Sequence, residues 1–133
     1  MAGASHLELR PVTELSGGER QMVFFARALA QQPDCLILDE PAGSLDLKHR
    51  AAMLDALLRL RRERGVTVLL VTHDLQLLEP GVDVVFAMSC GVVVSAGPPR
   101  EILTEELLAR VFDDPGVRTA RVEGRTFVWS EPV

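Results

Sequence analysis

Cysteine is scarce in this chain of 133 residues, with only Cys35 and Cys90 present and no metal-ligand spacing between them. A stapled secreted scaffold and a zinc ribbon are therefore not expected, and a reducing cytosol is the compartment such usage fits. No apolar run approaches the roughly 18 to 20 residues that a bilayer-spanning helix requires, and the opening MAGASHLELR holds no hydrophobic segment of the secretory kind. A basic excess is also missing. Fourteen lysines and arginines stand against 19 aspartates and glutamates, a formal charge of -5 with both signs interspersed, so there is no electrostatic footprint for nucleic acid or an acidic membrane. Internal repeats and low-complexity tracts are absent as well.

What is present reads as one α/β domain, long enough to bury roughly two thirds of the surface of its unfolded chain. Residues 1–14 carry no clear period. From Ser16 the pattern becomes helical: Ser16 can cap, Glu19 lies three positions on in the capping-box arrangement, and QMVFFARALAQQ continues toward Pro33. CLILDE, residues 35–40, is an apolar run ending in two carboxylates, the mark of a buried parallel strand with polar groups at its carboxyl end. The segment 46–65 places Met53, Leu54, Leu57, Leu58 and Leu60 near helical spacing and ends at Gly65. VTVLLVTHD follows as a second apolar strand, and strand-helix-strand enforces parallel pairing, so Asp39-Glu40 and His73 are expected at one edge. VDVVFAM and VVVSAG flank a Ser-Cys-Gly turn, PREILTEELLARVF reads as one or two short helices, and VRTARV with RTFVW forms a closing hairpin across Glu123-Gly124.

Two places invite chemistry. The amino end of a helix carries unpaired amides and partial positive charge, so Ser16, Gly17 and Gly18 make a cradle for an anion; equally, Ser16 is an ordinary cap and the glycines an entry turn. Asp39 and Glu40 suggest a division of labour between a metal ion and a reacting water, because adjacent strand residues point to opposite sides. Read singly, such a pair is a solvated strand end, and His73 a loop or core histidine.

LSGGERQ (15–21), LILDEP (36–41), SLD (44–46) and VTHD (71–74), in this order and spacing, resemble the second half of an ATP-binding cassette (ABC) transporter ATPase over nearly the whole chain. The resemblance implies a partial P-loop NTPase fold: a parallel sheet flanked by helices with a carboxyl-terminal β-hairpin, the Walker A half missing. Residues 1–32 would be a remnant of the helical subdomain with its signature helix, 33–112 the later part of the ATPase core, and 113–133 a hairpin tail. Leu15, Ser16, Gly17, Gly18, Glu19 and Gln21 would be signature residues that bind ATP held by a second protomer. Asp39 would support Mg2+, Glu40 and His73 would be catalytic, and Ser44, Leu45 and Asp46 would form the D-loop. Arg20, Pro41 and Thr72 match the motif surroundings, whereas Met22 and Ala42-Gly43 depart from the commoner residues.

The phosphate loop G-x-x-x-x-G-K-[ST] does not occur, since the single lysine, Lys48, follows no such glycine pattern. ATP and Mg2+ are accordingly expected only in the complete domain, and the chain alone is expected to be inactive and to self-associate through its incomplete sheet. SAGPPREILTEELLARVF and LDLKHR look like the importers of iron-siderophores, haem and cobalamin. That likeness implies a cytoplasmic subunit, peripheral on the inner face of the membrane, partnered by transmembrane permease subunits and, indirectly, an extracytoplasmic binding protein. Two alternatives remain open: a non-catalytic dimerisation module, and a non-transport ABC ATPase.

Overall fold

Ser16 sets the start of the first long helix. In a computed structural model, which describes residues 5–79 and 81–132, it adopts an extended backbone and accepts the Glu19 N–H at 3.2 Å, while Glu19 returns a carboxylate oxygen to the Ser16 N–H at 2.8 Å. This capping box satisfies two of the donors that a helix start leaves orphaned. Helix α1 (Gly17–Ala30) then buries Met22 and Phe25. Two short 3-10 turns, Ser5–Leu7 and Val12–Glu14, precede it. Residues 1–4, read above as free of a signal segment, lie outside the described residues.

Strand β1 (Cys35–Asp39) pairs in parallel with β2 (Thr67–Val71), in the register Cys35 to Thr67 through Asp39 to Val71. Between them runs helix α2 (Leu47–Arg64), capped at its start by Asp46 and stopped by Gly65, whose φ of 67° is the left-handed C-cap that glycine adopts without steric cost. Met53, Ala56 and Leu57 form its buried stripe. These elements belong to a compact unit that ends at His73.

A second unit begins at Asp74. It holds the hairpin β3 (Val85–Ser89) and β4 (Val92–Gly97), short helices α3 (Pro99–Ile102) and α4 (Glu105–Phe112), and the hairpin β5 (Val117–Val122) and β6 (Arg125–Ser130). Both hairpins turn on a residue followed by glycine, Cys90-Gly91 and Glu123-Gly124, with positive φ at all four positions; this is the twist-matched turn that favours glycine. Leu78, Leu103, Leu108 and Val117 form this unit's core.

One expectation is corrected. β1 is not buried on both faces: Leu36 is enclosed, but Ile37 is 68% exposed, and its register partner Leu69 is 49% exposed with Val71 beside it at 50%. Among the described residues β1 and β2 form a sheet of two strands, so one face has helical cover and the other, bearing Ile37, Leu69 and Val71, has none. A run of apolar residues signals a strand that something covers, and the covering element is not encoded locally.

Candidate functional site

The candidate site residues 15–19, Gln21, Asp39, Glu40, 44–46 and His73 all fall in the first unit, at the start of α1, the end of β1, the loop before α2 and the position just beyond β2. Glu40 follows the last residue of β1 and His73 lies just beyond β2. Parallel pairing continues past the strand as Glu40 N–H donates to the Val71 carbonyl at 2.9 Å, and this brings the two side chains together. One Glu40 oxygen accepts the His73 backbone N–H at 2.9 Å and lies 2.7 Å from His73 Nδ1; the other lies 3.4 Å from the Thr72 hydroxyl. A carboxylate only accepts, so Nδ1 carries the proton and Nε2 is left for another partner. The His73 hydrogen bond, foremost, holds the Glu40 carboxyl below its ordinary range, against a smaller opposing effect of burial. Glu40 is thus an ionised acceptor already clasped by two donors of one residue.

The backbone at Glu40 departs from the reading of two adjacent strand residues with alternating directions. Its φ is 44°, a left-handed conformation that costs a non-glycine residue about 1–3 kcal/mol and persists only where the surroundings impose it. The Val71 contact and the Gly43 N–H bond back to the Glu40 carbonyl at 3.3 Å impose it here. Glu40 therefore lies on a turn beyond the end of β1, and the alternation of strand side chains does not govern the pair. Asp39 is exposed at the strand tip. Among the described residues no cluster of three or more His, Cys, Asp or Glu could enclose a metal ion. One exposed carboxylate fits magnesium, which keeps waters and joins one or two carboxylates to substrate phosphates.

Pro41 and Ala42 are buried behind the turn that leads to residues 44–46. Ser44 and Asp46 are exposed, whereas Leu45 is buried. This segment lies directly against the start of α1. A Cβ placed on Gly18 would sit 2.9 Å from the Ser44 carbonyl oxygen, and one on Gly17 would sit 3.7 Å from Ser44 Cβ. The second glycine is thus required by its own chain, in addition to any ligand. Ser16 and Gly17 are exposed at the helix start, Leu15 is buried and Gln21 half-buried. Glu19 closes the capping box and pairs with Arg10 at 2.8 Å, so its carboxylate is already engaged within the chain. Met22, the departure noted in the motif, is 2% exposed and belongs to the core.

Sequence reading missed His49. Its ring and its backbone N–H both meet Asp46 Oδ1 at 2.8 Å; the available signal was the three-residue spacing from a helix cap.

The ABC transporter family model matches residues 1–43. The hemin import ATP-binding protein of Rhodopseudomonas palustris is 38% identical over 137 aligned residues, covering 97% of this chain and 51% of that protein. An inward-facing ABC transporter described as of the metal-chelate type superposes with a TM-score of 0.79 at 30% identity, over 99% of this chain and 53% of the matched chain. A dimeric bacterial ABC transporter cassette gives 0.66 at 34% identity, over 74% and 44%. The chain spans between 36% and 51% of the length of the curated relatives it matches. In sequence and in fold it belongs with the ABC transporter ATPases, to whose carboxyl-terminal half it corresponds.

Proposed function

We propose that this chain is the hydrolytic half of the ATP-binding subunit of an ABC importer for haem or a related iron chelate, and that it acts on a nucleotide gripped by another polypeptide segment. The observation that carries the reading is the 2.7 Å contact between Glu40 and His73, residues that lie far apart in sequence and meet only through parallel strand pairing. The substrate class rests on relatives named for hemin import and for metal-chelate transport.

Glu40, ionised and fixed, accepts a proton from water and aligns it for in-line attack on the γ-phosphorus. The bond from that phosphorus to the β–γ bridging oxygen breaks, and the products are ADP and inorganic phosphate. His73 holds Glu40 through Nδ1 and keeps Nε2 toward the transferring phosphoryl oxygens. Asp39 is the residue that would hold magnesium, which would supply neutralisation of the phosphate charge. Catalysis is therefore chiefly positioning and charge stabilisation. The first amides of α1, with Ser16 and Gly17 exposed, face the γ-phosphate of a second protomer, while residues 44–46 face the same protomer beside them. In the complete transporter the permease subunits anchor the ATPase at the inner face of the membrane.

The chain has no phosphate-loop lysine, so turnover of ATP by the isolated chain should not exceed that of its Glu40→Gln variant. Mixed with an intact ABC cassette that holds ATP without hydrolysing it, the chain should form a complex that depends on ATP. Gly17→Glu, which has room at the helix start but sets a carboxylate against the phosphate, should abolish that complex. Association indifferent to nucleotide, or unaffected by Gly17→Glu, would reject the proposal.

A further inference from the structure

Asp46 is the N-cap of α2, and a cap needs only one bond, from its carboxylate to the backbone N–H three residues on. Any residue but proline at position 49 supplies that N–H. Here the bond is present at 2.8 Å, and the same oxygen, Oδ1, also lies 2.8 Å from Nδ1 of the His49 ring. The ring is thus additional to capping. The Lys48 backbone N–H also acts on the carboxylate; without the ring, the side chain retains freedom about its Cα–Cβ and Cβ–Cγ bonds, whereas the ring adds a second His49 donor on Oδ1 that restricts this rotation, and Oδ2 takes part in neither His49 contact.

Exposure divides the pair in the same sense. The His49 side chain is 28% exposed, whereas that of Asp46 is 65% exposed, so a partly enclosed ring holds a carboxylate that faces outward. The neutral Nδ1–H tautomer suffices for the contact, because the carboxylate accepts and the ring donates. At the other end of the same loop, Ser44 is set against Gly17 and Gly18. Residues 44–46 are therefore anchored twice, by the helix before them and by the first turn of the helix after them.

We infer that His49 is a positioning residue, which locks the Asp46 carboxylate in one rotamer so that Oδ2 is presented to a hydrogen-bond donor on the facing protomer. This rests on the reading that residues 44–46 lie at an interface between two ATPase protomers. An oxygen fixed before association spares the complex the cost of ordering it at the moment of contact.

The test has two arms. In the chain itself, nitrogen-15 NMR should show His49 Nδ1 protonated, with the β-methylene couplings of Asp46 reporting one rotamer. His49→Ala keeps the capping N–H, so the fold should persist while the Asp46 couplings average. His49→Asn, which restores a side-chain N–H, should recover the single rotamer. In the second arm, ATP-dependent association with the intact cassette should weaken about threefold to tenfold in His49→Ala, the worth of one hydrogen bond, and should recover in His49→Asn. A single Asp46 rotamer in His49→Ala, or wild-type association by that variant, overturns the inference. Failure of the unaltered chain to associate, with the NMR behaviour as expected, would reject the interface reading and support the hold of His49 on Asp46.

Discussion

Gly18 illustrates how one residue answers to two demands. Its amide belongs to the helix start that would meet a phosphate, and its missing side chain lets the Ser44 carbonyl approach to a point 2.9 Å from where a Cβ would be. Since that neighbour is backbone, it cannot swing aside. Gly18→Ala is therefore expected to destabilise the fold by about 1–3 kcal/mol through overpacking, read as a lower urea midpoint; an unchanged midpoint would show that the 44–46 loop yields freely. The paired-glycine motif was readable as an anion cradle, but this packing duty was not, because Ser44 reaches Gly18 only after the chain has turned at Glu40. The same holds for Glu40 itself. Its position at a strand tip followed from the apolar run before it, whereas its left-handed backbone, φ 44°, is imposed by contacts with Val71 and Gly43 that no local pattern encodes.

Helix starts were the most readable elements, since capping chemistry lies within four consecutive residues. The Ser16 box appears as the spacing predicts, and Gly65 ends α2 where the apolar stripe ends. Both caps also carry a pH dependence. The Ser16 N–H, above all, lowers the Glu19 carboxyl from its ordinary 4.5, and the His49 N–H likewise lowers Asp46 from 3.8. Their folded values lie below their unfolded ones, so each contribution is full above those ordinary values and is lost as pH falls through the lowered ones. Thermal unfolding followed from neutral to acidic pH should thus show a shallower acid decline in the double variant Glu19→Gln, Asp46→Asn than in the unaltered chain. Parallel declines would mean that neither cap titrates with folding. Burial of the strands was the less readable property: continuous apolar runs place β1 and β2 correctly, but which face is covered depends on elements distant in sequence.

At the scale of the whole molecule, the Glu40–His73 pair is already assembled while an apolar sheet face lies open. Ile37, Leu69 and Val71, about half or more exposed, form a surface that water disfavours, and each strand of the pair has an unpaired edge among the described residues. Sedimentation velocity should show association that grows with concentration, and Ile37→Lys, changing a residue already 68% exposed, should shift the chain toward monomer. A concentration-independent monomer would indicate that the face is tolerated as it stands. The order of motifs was enough to suggest the ATPase family, and the strand register then brought Glu40 to His73; neither required the absent phosphate loop.

We propose that the start of α1 meets a triphosphate bound elsewhere. That contact is tested most directly by loading an intact, hydrolysis-deficient ABC cassette with an ATP analogue that carries a photoreactive group on its γ-phosphate, adding this chain, irradiating, and locating the adduct by peptide mass spectrometry. The expected result is labelling of residues 15–19; labelling confined to the hairpin at residues 117–130, or no labelling of this chain at all, would contradict it.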